Sequence, residues 1–381
     1  MSVAECLAGK RICICAGSGG VGKTTTAAAV AMGLAARGQR VAVVTIDPAR
    51  RLASALGLEE LGNEPRPVEP ARFAERGLEM RGELWAMMLD AKRTFDELIE
   101  LLAPDAATRE EILANRIYQE LSSAVAGSQE FTAVAKLYEL DASGQFDAIV
   151  LDTPPSRNAL DFLDAPHRLT ELLEGRTLRV LTAPTGAAAA IAARGSGIIL
   201  SPLRRVTGVD LLADLGTFFR ALSGVVDGFA ARASAVSRLL ADPATTFLIV
   251  ASPETAAVEE AIFFRRRLQD AGMPFGGLIV NRLRLLARTP PTIDAATLAA
   301  DLGGDTDLAA RAMQALEDLR TLARRDAASL RRLSVELGEP HPILVPQLDH
   351  DVSDLAALVA VQRFLFASRH ERTVLLAEQQ F

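Results

Sequence analysis

The sequence predicts an α/β protein, with a mostly parallel β-sheet covered by helices on both faces and an inserted all-helical subdomain. Short, continuously apolar runs alternate with helical patterns, as in buried parallel sheets. Polar residues follow several of these runs, at the strand ends where such sheets bind ligands. A glycine-rich segment joins the first run to an alanine-rich helical pattern. We expect one domain over residues 1–381, with the helical subdomain inserted at about 83–140 and 160–242.

The strands are predicted from the apolar runs in chain order. Residues 11–16 are predicted to form the first strand. It is followed by the glycine loop, GSGGVGKTT at residues 17–25, and by the overlapping helical pattern KTTTAAAVAMGLAARG, which closes on Gly38. The second strand, RVAVVTID, ends at Asp47, and the strand in FDAIVLDTPP ends at Asp152. Later strands are predicted in TTFLIVASPE, FGGLIVNR and HPILVPQ.

Two stretches interrupt this alternation and are predicted to be helical. Residues 160–242 have broad apolar helix faces, in which Ala233 and Leu240 belong to a seven-residue repeat. One run there, LRVLTAP at residues 178–184, resembles a strand, but we assign it to the helical insertion. Residues 83–140 carry apolar residues at helical spacing, namely Leu84, Met87, Ala91, Phe95, Leu98 and Leu102.

Composition argues against nucleic acid as a partner. Acidic residues outnumber basic ones, 48 to 41, and the basic residues are scattered rather than gathered in a stripe. The first residues do not form a secretion leader, and no apolar stretch has membrane-spanning length. We therefore expect a cytoplasmic protein.

The three cysteines, Cys6, Cys13 and Cys15, all precede the glycine loop. They are too few and too clustered for a disulfide framework. Cys13 and Cys15 would share one face of a strand, either as a metal or redox pair or as two small core residues. We favour core residues, because buried cysteine commonly behaves as a small apolar side chain.

The glycine loop matches the P-loop pattern G-x-x-x-x-G-K-[ST], whose backbone N–H groups surround phosphates. Lys23 would neutralise the β and γ phosphates of ATP, and Thr24 would bind Mg²⁺. The helix expected to begin near Val21 would direct its positive end at the anion. The predicted nucleotide-binding residues of this loop are Gly17, Ser18, Gly19, Gly20, Val21, Gly22, Lys23, Thr24 and Thr25.

Two strand-end aspartates, Asp47 and Asp152, complete the candidate site. Phosphoryl transfer to water needs one group that orients the nucleophile and one carboxylate that holds Mg²⁺. Each aspartate alone could instead be a helix cap or a turn residue. Their occurrence beside a P-loop favours the functional interpretation, but leaves open which aspartate has which role.

Several motifs resemble those of the ArsA and guided-entry targeting ATPases, within the deviant Walker A class of P-loop hydrolases. GGVGKTTT is followed by IDPARRLASALG and LDTPPSRNALDFLDAP, and the likeness continues in SPETAAVEEAIFFRRRL, GLIVNRL and PQLDHDVSDL. The order is the family's, and the likeness spans most of the chain. The resemblance implies a single-domain bacterial member with a P-loop NTPase fold and Mg²⁺-dependent ATPase activity as a dimer.

The resemblance also implies a role for each site residue. Asp47 would activate the attacking water, while the second catalytic residue, Lys23, is already given by the P-loop pattern. Asp152 would support Mg²⁺ together with Thr24, and Glu254 would lie near the nucleotide at a dimer interface. Adenine would be held by Asn281 and by the backbone of Pro346, Gln347 and Leu348. An asparagine amide suits adenine, because it can pair with a donor and an acceptor on the base edge.

The sequence departs from the family at the second residue of the loop. A lysine there normally reaches across the dimer to the partner's ATP, whereas this chain has Ser18. Serine cannot stabilise transition-state charge as a cation does. A related subunit could supply the lysine, a nearby arginine such as Arg157, Arg50 or Arg51 could replace it, or turnover could be slow.

A second departure concerns metal-binding cysteines. The stretch after Asn281, LRLLARTPPTIDAATLAADLGG, lacks the Cys-x-x-Cys that bridges eukaryotic targeting factors through zinc, so we expect no zinc. Arsenite binding would need thiolates in the helical region, which has none. The arsenite pump also resembles two fused copies of this unit, whereas this chain has one.

The leading functional hypothesis is an ATP-driven conformational switch, acting as a homodimer or as a heterodimer with a related subunit. Its helical subdomain would bind a hydrophobic, membrane-protein-like client or a membrane component. One alternative is an efflux-associated, anion-transport ATPase. Another is a slow ATP-dependent regulatory subunit of a heteromeric complex.

Overall fold

The computed structural model describes most of the chain, namely residues 1–47, 51–116, 118–119, 128–153, 225–285, 294–348 and 354–378. The described residues fall into two compact units. The first, an α/β unit, comes from segments 1–88, 144–159 and 241–381, and the second, a helical unit, comes from segments 89–143 and 160–240. The predicted single domain stays a prediction, as do the predicted bounds of its insertion apart from the start at residue 83.

The strands of the described residues all belong to one eight-stranded sheet, in the order β3-β4-β2-β5-β1-β6-β7-β8. Every pairing is parallel except β3 with β4. This mostly parallel sheet confirms the predicted α/β fold. The strands are β1 Ile12–Ala16, β2 Arg40–Thr45, β3 Arg66–Pro67, β4 Glu83–Met88, β5 Ala148–Asp152, β6 Thr245–Ala251, β7 Phe275–Leu283 and β8 Ile343–Pro346.

Helices connect the strands and make up the described part of the second unit. In chain order they are α1 Val3–Cys6, α2 Lys23–Ala35, α3 Arg51–Ala55, α4 Ala71–Ala74, α5 Ala91–Leu102, α6 Ala106–Ala114, α7 Ser128–Ser143, α8 Val226–Ala241, α9 Thr255–Asp270, α10 Ala295–Asp301, α11 Thr306–Glu336, α12 Leu355–Phe366 and α13 Arg369–Glu378. Among the described residues, no helix is both long enough and apolar enough to cross a membrane.

The register of the central strands aligns their carboxyl ends. Cys15 and Thr45 both lie opposite Asp152, so the ends of β1, β2 and β5 are adjacent. Parallel strands finish at the same edge of the sheet, which is where ligands bind in this class of fold. The loop after β1 therefore begins beside the last residues of β2 and β5.

Helix α2 packs directly against the centre of the sheet. It is rich in small residues and is almost entirely buried, with Ala27, Val30 and Met32 inaccessible to solvent. Small side chains let its backbone approach β1, β2 and β5 on one side and α12 on the other. The helix that follows the loop is thus fixed on two sides by core packing.

Residues 83–88 correct one prediction, because they form strand β4 rather than the start of the helical subdomain. Glu83 to Met88 pair with Arg40 to Thr45 of β2 along the whole strand. Leu84 and Met87 fit both helical spacing and the apolar run LWAMM, and the run decides the outcome because sheet pairing buries it. The helices of this stretch begin at Ala91, after Asp90 caps α5 by accepting a hydrogen bond from the Arg93 N–H.

The described part of the helical unit has its own apolar core. Phe95 of α5 stacks on Phe229 of α8, with ring centroids 5.5 Å apart. Ala233 and Leu240 are buried, in agreement with the predicted seven-residue repeat. The remaining predictions for residues 160–224, including the run at 178–184, lie outside the described residues.

The cysteines are buried as free thiols, as the core interpretation expects. Cys13 and Cys15 lie on β1 and pack in the core of the α/β unit together with Cys6. The side-chain hydrogen bond between Cys15 and Cys13 and, to a smaller extent, burial raise the pKa of Cys15 well above its ordinary value. Reactivity requires the thiolate, so these surroundings favour an inert structural role.

Candidate functional site

The glycine loop lies at the carboxyl edge of the sheet, between β1 and α2. Gly17 closely approaches β6, because a Cβ atom there would collide with the Val250 carbonyl oxygen. Gly22 has a left-handed φ of 92°, and a Cβ atom there would collide with the Asn281 amide. Both positions therefore require glycine. Helix α2 begins at Lys23, two residues later than Val21.

Lys23 folds back over the loop. Its Nζ donates hydrogen bonds to the carbonyl oxygens of Gly17 and Ser18, each at 2.8 Å. The side chain is buried, and burial lowers the pKa of Lys23 although the carboxylates of Asp152, Glu260 and Asp47 oppose that change. A buried cation held against the backbone of a glycine loop is suited to binding phosphate.

Asp152 ends β5 and is 1% exposed. Its Oδ2 accepts hydrogen bonds from the hydroxyls of Thr24, at 2.7 Å, and Thr45, at 2.9 Å. The other oxygen, Oδ1, is buried and has no hydrogen-bond partner within the described part of the chain. Burial raises the pKa of Asp152 to about 6, against the lowering effects of the two hydroxyls and Lys23. A nearly inaccessible carboxylate with one unused oxygen is suited to binding a cation.

Asp47 follows β2 and is 8% exposed. Its backbone N–H donates to Thr45 Oγ1 at 3.2 Å, and its Oδ2 lies 3.6 Å from Nε of Arg51. The two strand-end aspartates therefore meet at one edge through Thr45. The structure brings together Lys23, Thr24, Asp47 and Asp152, as the motifs predict.

The donor set fits Mg²⁺, which prefers oxygen ligands and commonly binds one or two carboxylates. Thr24 would offer its hydroxyl oxygen, since its proton is used on Asp152 Oδ2. The unpartnered Oδ1 of Asp152 would face the ion or its bound water. When bound, Mg²⁺ would neutralise phosphate charge.

Asn281 contacts the loop directly. Its Nδ2 donates to the Val21 carbonyl oxygen at 2.9 Å, and its Oδ1 accepts from the Arg282 N–H at 3.0 Å. Arg282 has a left-handed φ of 58°, an uncommon conformation for a residue with a side chain. The amide retains one further N–H and one lone pair, so pairing with adenine remains compatible with this geometry and stays a prediction.

The end of β8 lies beside the end of β7. Pro346 is opposite Leu283, and the Gln347 N–H donates to the Leu283 carbonyl oxygen at 3.0 Å. The segment from Pro346 to Leu348 is therefore close to Asn281 along the same edge, as the predicted adenine site requires. Its contact with adenine stays a prediction.

The remaining predicted residues lie around this edge. Glu254 precedes α9 and is exposed, and its role at a dimer interface stays a prediction. Ser18 is 8% exposed and contributes its backbone carbonyl to Lys23. Arg51 lies beside Asp47, whereas Arg50 and Arg157 are outside the described residues.

Two residues of the site were not predicted from the sequence. Thr45 stands two positions before Asp47, so strand periodicity could have placed it on the same side of β2. Glu260 lies on α9, and burial raises the pKa of its carboxyl while the charge of Lys23 lowers it. Its Oε1 is buried without a hydrogen-bond partner among the residues described. No local motif marks Glu260, because its proximity to Lys23 depends on packing.

Comparison with known proteins shows which family shares this site. Residues 10–292 match the family model described as an anion-transporting ATPase, ArsA_ATPase. ATPase GET3 of Malassezia globosa is 31% identical over 161 residues, covering 42% of this chain and 43% of that protein. ATPase GET3 of Rhodotorula glutinis is 31% identical over 157 residues, covering 41% of each chain.

A bacterial relative matches over a longer stretch. An uncharacterized protein of Streptomyces coelicolor is 29% identical over 275 residues, which cover 72% of this chain and 62% of that protein. The chain thus spans less than two thirds of the length of each of these three relatives.

Proposed function

The chain belongs to the ArsA family of anion-transporting ATPases, and we propose that it binds ATP with Mg²⁺ in the glycine loop and hydrolyses the nucleotide. One observation carries this proposal. Lys23, Thr24, Asp47 and Asp152 converge at the carboxyl edge of the sheet, and Asp152 keeps one buried oxygen unused. A structural turn would need neither a buried lysine nor a buried carboxylate, both of which are costly to desolvate.

In this proposal, each protein group acts on a different part of the reaction. Lys23 moves from the Gly17 and Ser18 carbonyl oxygens to the β and γ phosphates of ATP. Thr24 and Asp152 would hold Mg²⁺, which would supply charge neutralisation at the phosphates. Asp47 orients and deprotonates the attacking water, because it is the less buried of the two aspartates and begins the segment that follows β2.

We further propose that two subunits close over their nucleotides, as a homodimer or with a related subunit. Ser18 supplies no cation to a partner, and its side chain is largely buried in the loop. A related subunit with lysine at this position would provide the missing charge. Glu254, exposed at the start of α9, would lie at the resulting interface.

The client proposal rests on the family resemblance. In the described part of the helical unit, Phe95, Leu98, Ile99 and Phe229 pack together as the unit's own core. A hydrophobic client or membrane component, bound in the cytoplasm, therefore stays a proposal. Nucleic acid and zinc are not expected, on composition and on the absence of a Cys-x-x-Cys pair in the sequence.

Anion transport is the second candidate, because the matched family is described by that activity. Oxyanion export through thiolate binding is the less favoured form, since all three cysteines are buried before or within β1. A slow regulatory subunit is the third candidate, and it follows from Ser18.

Calorimetry of ATP binding, with Lys23→Ala, tests the proposed function. The variant should lose ATP binding, because the loop loses its fixed cation against the phosphates. Lys92→Ala is the matched control, since Lys92 pairs with Asp96 on the surface of α5. Full ATP affinity in Lys23→Ala, or no Mg²⁺-dependent phosphate release by the wild type, would contradict the proposal.

A further inference from the structure

Thr45 joins the two aspartates of the site. Its Oγ1 donates to Asp152 Oδ2 at 2.9 Å and accepts from the Asp47 N–H at 3.2 Å. Thr45 is 1% exposed and lies opposite Asp152 in the paired strands. The single hydroxyl proton is used on one aspartate and a lone pair on the other, so the side chain forms a bridge.

We infer that Thr45 is a positioning residue for ATP hydrolysis, which fixes the Asp47 backbone relative to the Asp152 carboxylate. The inference rests on the proposed ATPase function, because it assigns Asp47 to the water and Asp152 to Mg²⁺. It goes further than that function, because it makes the position of Asp47 depend on that of Asp152 through Thr45.

Removal of the hydroxyl would have two effects. Asp152 Oδ2 would keep only the Thr24 donor, so the carboxylate could rotate and its Oδ1 would no longer be held toward the cation. The Asp47 N–H would lose its Thr45 acceptor, and the start of the following segment would lose an anchor. Lys23 and the loop N–H groups would be unchanged, so ATP binding without Mg²⁺ should persist.

The test compares Thr45→Val, which keeps the shape, with Thr45→Ser, which keeps the hydroxyl. Thr45→Val should lower kcat about 10- to 100-fold, the usual effect of losing a hydrogen bond to a charged group. It should also raise the Mg²⁺ concentration for half-maximal activity, with ATP binding in EDTA unchanged. Thr45→Ser should recover most of the activity.

Thr246→Val is the matched control. Thr246 is a buried residue of β6 whose hydroxyl has no hydrogen-bond partner in the part of the chain that is described. The same change of side chain at this site should leave kcat and Mg²⁺ dependence near wild type. A loss equal to that of Thr45→Val would mean that buried threonines matter only for packing, and would overturn the inference.

A double-mutant cycle separates positioning from general damage. If Thr45 acts through Asp47, then at saturating Mg²⁺, where the effect on Asp152 is masked, Thr45→Val should lower activity no more than about twofold in an Asp47→Asn background. Additive losses, or a Thr45→Ser variant as impaired as Thr45→Val, would refute the inference. If Thr45→Val does not fold, Thr45→Ala replaces it in the cycle. A wild type that binds no ATP would instead refute the proposed function, and the inference with it.

Discussion

Replacing Asp152 with asparagine should stabilise the metal-free, nucleotide-free protein while abolishing its function. Burial raises the pKa of Asp152 from 3.8 to about 6. At neutral pH the Asp152 carboxyl is therefore charged in the folded protein, where the charge is less favourable than in the unfolded chain. That rise corresponds to about 3 kcal/mol of stability lost by the wild type above pH 6.

The direction in which wild-type stability changes with pH follows from proton binding by Asp152. Between pH 3.8 and about 6 the folded state keeps the Asp152 proton while the unfolded chain releases it. Wild-type stability therefore falls as pH rises through this window, and the variant lacks this dependence. The free energy of unfolding of the variant, relative to wild type, should increase by about 2 kcal/mol between about pH 4.5 and about pH 7.5.

A pH-independent cost to the free energy of unfolding offsets part of the stability that Asp152→Asn gains. The new amide would place its N–H groups where Oδ1 now lies buried, and an unpaired buried donor costs about 1–3 kcal/mol. The pH-dependent difference is therefore the informative quantity. Urea unfolding in EDTA at a series of pH values measures it, with the buried Thr246→Val variant as the control for buried-site substitution.

Added Mg²⁺ and ATP should make wild type more stable than Asp152→Asn, because ligands that bind only the folded state stabilise it. Wild type should gain stability under these conditions, and Asp152→Asn should gain much less. If Asp152→Asn were less stable than wild type in EDTA, and by the same amount at every pH tested, the argument that burial destabilises the charged carboxyl would be refuted.

Three other predictions concern the same site. Asp47→Asn should keep ATP and Mg²⁺ binding but lower single-turnover hydrolysis at least about 100-fold, since an amide cannot accept the water's proton; unchanged hydrolysis would contradict the assignment. Asn281→Ala should weaken binding of inorganic triphosphate as well as ATP, because the bond to Val21 is lost; weakening of ATP alone would limit Asn281 to adenine. Ser18→Lys should raise kcat at least about tenfold if a cross-subunit cation is missing; indifference would mean that the interface uses none.

The core of the fold was predictable from the sequence, because continuous apolar runs mark buried parallel strands. Strand β4 was the exception, since Leu84 and Met87 fit a helix and a strand equally well when its partner β2 is not known. The two-residue strand β3 carries no periodic signal at all. Short or doubly periodic segments are decided by the sheet they join, not by their own residues.

The site shows the same division. Lys23, Thr24, Asp47 and Asp152 were predictable, because each occupies a fixed place relative to a loop or a strand end. The side-chain contact from Asn281 to the Val21 carbonyl oxygen was not, since it spans 260 positions in the chain. Long-range hydrogen bonds of this kind depend on tertiary packing, so a sequence motif can identify the residue without revealing its partner.

Ser18 shows how a departure from a motif acquires a physical meaning. Its carbonyl oxygen holds Lys23, and this backbone contact does not depend on which side chain position 18 carries. A lysine side chain there would have to leave the buried environment that serine now occupies, and extend away from its own loop toward solvent or a partner. Serine therefore preserves the loop while removing any charge directed outward. In the proposed dimer, the change would affect what this subunit gives to a neighbour and would leave intact what its own loop gives to ATP.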